Sequence, residues 1–69
     1  MKDNWIKIYA DTLLYKVKIV QAILEEQDIE AVVINKQDYS YGFGEIELWT
    51  NQENTVLATK IVNEINFDN

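Results

Sequence analysis

Apolar and polar residues alternate from Asn4 to Ala10, with Ile6 and Ile8 on one side and Trp5, Lys7 and Tyr9 on the other. A period of two predicts a strand with one buried face. The period then lengthens. Leu13, Val17, Val20 and Leu24 recur at helical spacing with Ile23 beside them, which predicts an amphipathic helix over 12–27 capped by Asp11 or Thr12. Asp28 stands where a helix ends in a left-handed residue. Residues 30–36 are β-branched and apolar on both sides, Val32 and Ile34 facing one way and Ala31 and Val33 the other, which predicts a better covered strand. Both glycines of the chain fall in 37–44, a loop. Alternation returns over 45–50, with Ile46 and Leu48 inward and Glu45, Glu47 and Trp49 outward. Thr50 and Glu53 fit a capping box that opens a second helix. The stripe expected for that helix is Val56, Leu57, Ile61 and Ile65, with Ala58 and Val62 adjacent.

The order is strand, helix, strand, strand, helix. Right-handed crossovers place both helices on one face of the sheet. The expected fold is α+β: a two-layer ferredoxin-like sandwich with a three-stranded antiparallel sheet, in which the third strand lies between the first and second. A fourth strand would lie beside the first; 65–68 offers room for a C-terminal stub, and the first strand is otherwise an exposed edge. Residues 1–69 read as a single domain without linker or repeat.

Composition narrows the chemistry. All six basic residues are lysines against twelve acids, giving a net charge of −6, and His, Cys and Pro are absent. Zinc sites built on Cys or His, thiol chemistry and histidine general bases are thereby excluded. With 48% hydrophobic residues and eight aromatics the chain is expected to fold without disulfides. No apolar run reaches the roughly 20 residues of a membrane span. The first residues lack a signal peptide's apolar stretch, so a cytoplasmic protein is expected.

Three stretches carry a family resemblance: Val20–Asn35, the segment Asn35-Lys36-Gln37-Asp38-Tyr39-Ser40-Tyr41, and Gly44-Glu45-Ile46-Glu47-Leu48-Trp49. Together they resemble a family of small bacterial domains of unknown function described as prokaryotic signal-transducing proteins, which share the ferredoxin-like fold of the PII (GlnB-like) regulators. The likeness spans roughly residues 5–65. Tyr39 replaces the family's usual Ser, and Asp28 its usual Gly or Asn. The resemblance implies the GlnB-like fold and a regulatory role, with a functional loop between the second and third strands. PII-like nucleotide sites draw on basic residues at subunit clefts, and here Lys36 is the one basic residue near that loop, which argues against ATP.

Two regions are candidate sites. Asn35, Lys36, Asp38, Ser40, Tyr41 and Gly44 could bind a small polar ligand, or form a hairpin loop satisfied by its own backbone. Trp5, Tyr9, Glu47 and Trp49, with Lys7 and Glu45, are expected on the sheet face that carries no helix. They would form a partner or self-association surface, or shield one another. Lys7 is expected near Glu45 or Glu47. Asp38 and Glu45, even with Asn35, make a poor set for Mg²⁺ or Ca²⁺, so no metal or cofactor is expected. Ser40 has no base in sequence to activate it, which argues against an enzyme. Aromatic residues on a ferredoxin-like sheet can stack bases, but Glu45 and Glu47 on the same face oppose phosphate, so nucleic acid is not an expected partner. The expectation is a non-enzymatic regulatory or protein-interaction module, monomeric or weakly dimeric, with a small-metabolite sensor as the alternative.

Overall fold

The computed structural model describes residues 4–38 and 43–67. It contains β1 (Trp5–Asp11), α1 (Leu14–Glu26), β2 (Ala31–Asn35), β3 (Ile46–Asn51), a 3₁₀ turn (Gln52–Asn54) and α2 (Thr55–Glu64). The sheet order is β1-β3-β2, with β3 antiparallel to both neighbours. This is the ferredoxin-like β-α-β-β-α arrangement expected from the pattern. Among the described residues no helix is long and apolar enough to cross a membrane.

The core lies between the helices and one sheet face. Val17, Val20 and Leu24 of α1 meet Ala31, Ile46 and Leu48 of the sheet, with Ile29 and Ala58 completing the cluster. Burial of such side chains is worth roughly 1.5–3 kcal/mol each. The first helix stops where Asp28 takes φ 62°. There the Ile29 N–H reaches the Leu24 carbonyl and the Asp28 N–H reaches the Glu25 carbonyl, each at 3.0 Å. This pair of hydrogen bonds is a Schellman ending, and Leu24 and Ile29, at the two ends of the longer one, are both buried. At the other end of α1, Asp11 does not cap as expected. Leu13 is the N-cap residue, and the Asp11 carboxylate instead accepts the Leu13 N–H at 2.9 Å, tightening the turn before the helix.

Two expectations are corrected around β3. Thr50 opens no helix: it is a fully buried strand residue, opposite both Ile6 and Ala31, and its hydroxyl donates to the Glu30 carbonyl at 2.6 Å. A buried hydroxyl left without that bond would cost about 1–3 kcal/mol. The strand therefore runs on to Asn51, where the Gln52 N–H donates to the Asn4 carbonyl, and a 3₁₀ turn precedes α2. The stripe of α2 shifts as a result. Ala58 is fully buried and Ile61, Val62 and Ile65 pack on the core, whereas Val56 is 86% and Leu57 50% exposed. Positions 58, 61, 62 and 65 share one helical face; Val56 lies on the far side.

The other correction is in β1. Trp5, Ile6 and Lys7 pair with Asn51, Thr50 and Trp49, but Tyr9, Ala10 and Asp11 pair with Leu48, Glu47 and Ile46. Ile8 is the extra residue of a β-bulge. Beyond it the alternation reverses, so Tyr9 joins the helix-covered face with Leu48. Ile8 and Tyr9 both pack against the core, which strict alternation forbids. Residues 65–67 form no strand; Phe67 instead stacks on Tyr9 with ring centroids 6.4 Å apart.

Candidate functional site

Alternation along β3 leaves Glu47 and Trp49 on the face that carries no helix. The register sets Ala10 and Ile34 beside Glu47, Lys7 and Val32 beside Trp49, and Trp5 beside Asn51. Glu47 is the centre of this face. Its Oε1 accepts the Trp49 indole N–H at 3.0 Å. Lys7 Nζ lies 3.6 Å from Oε2, and Lys36 Nζ lies 3.5 Å from Oε1. The side chain is only 12% exposed. The indole hydrogen bond, aided by the two ammonium groups, outweighs burial and holds the carboxyl below its ordinary range. Burying a carboxylate is costly unless it is paired, and here both oxygens have partners.

Around this hub the surface is mainly apolar. Trp5 is 8% exposed although it lies outside the main core cluster. Val32 remains exposed, and Ile34 and Trp49 are half-buried. Lys7 and Lys36 balance Glu45 and Glu47, so the face is neutral in a chain of charge −6. Of the four residues expected here, Trp5, Glu47 and Trp49 share the face. Tyr9 does not, because the bulge has turned it inward.

The β2–β3 ladder continues past the strand ends as far as Asp38 and Phe43. The register that pairs Asn35 with Ile46 continues through a Lys36 N–H to Glu45 carbonyl bond at 3.1 Å and a bridge between Asp38 and Phe43. Asn35 Oδ1 accepts the Gln37 N–H at 2.9 Å. Gln37 Nε2 donates to the Thr12 carbonyl at 2.8 Å, tying the hairpin to the β1–α1 turn. Gly44 has φ 98°, and a Cβ there would collide with the Lys36 carbonyl oxygen. The four described loop candidates have separate local roles. Lys36 belongs to the Glu47 hub, Asn35 bonds its own backbone, Asp38 bridges to Phe43 and Gly44 permits a close approach. Ser40 and Tyr41 lie outside the described residues. Among the described residues no three His, Cys, Asp or Glu gather as a metal site.

A second polar cluster sits on the opposite side of β1. The Tyr9 hydroxyl donates to Asp11 Oδ2 at 3.1 Å, and Lys16 Nζ lies 5.3 Å from the Phe67 ring centroid. Burial, then the hydrogen bond and charge of Asp11, push the Tyr9 phenol up to about 12. The Leu13 N–H, assisted by Tyr9 and Lys16 against burial, holds the Asp11 carboxyl below its ordinary range. These groups staple the residues after α2 to the β1–α1 turn. The pattern of alternation alone missed this cluster, because it requires the bulge. It also missed Lys36 at the hub, although the 35/46 hairpin register sets position 36 diagonally across from 47. Comparison with family models, with curated proteins and with solved structures returned no significant match.

Proposed function

We propose that this chain is a non-enzymatic protein-interaction module of bacterial signal transduction, acting in the cytoplasm and engaging a protein partner through the open sheet face. The observation that carries this reading is the Glu47 hub: one carboxylate, held by Trp49, Lys7 and Lys36, is centred in a neutral surface of Val32, Ile34 and Trp49. Aromatic and aliphatic groups around a satisfied polar centre resemble the core of a protein interface. The neutral face suits an uncharged or basic partner surface rather than a polyanion. The family resemblance in the β2–β3 segment supports a regulatory role.

Val32→Asp tests the reading, since Val32 is exposed, faces away from the core and can be charged without unfolding the domain. A partner retained by immobilised wild type should be lost with the variant, while its far-ultraviolet circular dichroism stays unchanged. Equal retention of that partner would remove the sheet face from consideration. Saturable amide shifts confined to Lys36–Gly44 on adding a metabolite panel would favour the sensor alternative instead.

A further inference from the structure

The two edges of the sheet differ. β1 carries the Ile8 bulge and the charged Lys7, both devices that discourage pairing along an edge. β2 has neither. Ala31–Asn35 is a regular, uncharged strand at the end of the sheet, paired with β3 on its inner side.

The hydrogen-bond phase of that edge follows from three observed bonds. The Lys36 N–H donates to Glu45, so position 36 belongs to the set of β2 residues bonded to β3. Alternation then gives Ile34 and Val32 to the ladder and turns the backbone groups of Val33 and Ala31 outward. The Thr50 hydroxyl reaching the Glu30 carbonyl and Gln21 Nε2 reaching the Ala31 carbonyl at 2.9 Å agree with this phase. The Ala31 carbonyl keeps a second lone pair.

We infer that the outer edge of β2 pairs antiparallel with the same edge of a second copy, centred on Val33. Charge complementarity selects this register. Glu30 precedes the strand and Lys36 follows it, so pairing about Val33 sets Glu30 of one copy opposite Lys36 of the other, twice by symmetry. Val32 then faces Ile34 of the second copy. The hydrogen-bond phase permits slips only by two residues. One slip sets Glu30 opposite Asp38, like against like; the other sets it opposite Ile34. Pairing about Val33 alone sets Glu30 opposite a lysine; the slip that brings Lys36 opposite Asp28 meets a residue whose φ of 62° lies outside the strand. It joins two three-stranded sheets into one of six strands and leaves the open face uncovered in both copies. The inference therefore does not depend on what that face binds.

Sedimentation equilibrium from micromolar to millimolar protein, with amide exchange on the same samples, tests it. Wild type should show a monomer–dimer equilibrium in which Val33 amide protection rises with the dimer fraction. Glu30→Lys should weaken association about tenfold, as two attractive cross-strand pairs become repulsive. Val33→Pro, which removes the outward N–H at the centre of the pairing, should abolish it. A wild type that stays monomeric at millimolar concentration overturns the proposal. So does a dimer that leaves Val33 exchange unchanged, or a folded Val33→Pro variant that associates like wild type. If that variant does not fold, as judged by the near-ultraviolet signal of its tryptophans, Val33 protection in wild type decides alone.

Discussion

Glu47 carries a charge in a place where charge is expensive, and its partners set how the molecule responds to acid. Because its folded-state carboxyl titrates below the ordinary range, the folded state binds this proton less readily than the unfolded state does. The associated stability is present above the ordinary carboxylate pKa and is lost as pH falls through the folded value. Glu47→Gln should therefore flatten part of the acid limb of the stability profile, read by urea denaturation at successive pH values; Asp11, shifted the same way, supplies another part. Tyr9 works at the opposite end. Its phenol is raised to about 12 from 10.0, so its contribution is present below pH 10.0 and lost as pH rises toward 12. Absorbance titration should show a tyrosine step near pH 12, and Tyr9→Phe should abolish it.

Helix ends, turns and helix phase set the energies at the scale of elements. Asp28 adopts a conformation that glycine reaches without a Cβ penalty, so Asp28→Gly should stabilise the domain by about 0.5–1 kcal/mol. Gly44 is the converse case. Its positive φ and the adjacent Lys36 carbonyl leave no room for a side chain, and Gly44→Ala should cost about 1–3 kcal/mol and loosen the Asp38–Phe43 end of the hairpin. The phase of α2 gives a paired prediction. Val56→Glu should change stability by less than about 0.5 kcal/mol, while Ala58→Leu should cost about 1–3 kcal/mol by overpacking. Chemical denaturation of the four variants under one set of conditions checks all of them. Equal costs at 56 and 58 would mean that α2 presents a different face to the sheet.

As a whole the molecule is a slab, 35 × 33 Å across and 15 Å through by its Cα extents. One side of its sheet is packed against helices and the other is available for contact. A domain of this size is held by only about 3–10 kcal/mol. Leu48 lies at the centre of β3 with no exposure, and Leu48→Ala should remove about 2–5 kcal/mol, enough to populate the unfolded state visibly at room temperature. The thinness of the core explains why polar devices matter here. The Thr50 hydroxyl, the Glu47 hub and the Gln37 tether each fasten a sheet that has hydrophobic cover on one side only.

Local pattern by itself determined the order of elements, the sheet topology, the inward set Val17, Val20, Leu24, Ile46 and Leu48, the left-handed stop at Asp28, and the outward positions of Trp5, Glu47 and Trp49. These follow from periods of two and 3.6 and from backbone preference, which act over a few residues. Tertiary structure decided the rest. The bulge at Ile8 turned Tyr9 into the core because the register of β1 is set by its pairing with β3, some forty residues away in the chain. Thr50 became a buried strand residue because the Glu30 carbonyl needed a donor, and that moved the start and the face of α2. Lys36 joined the Glu47 hub because a hairpin ladder continued beyond the strand ends. In each case a residue with two acceptable local roles took the one that satisfied a buried partner distant in sequence, a choice that local periodicity does not encode.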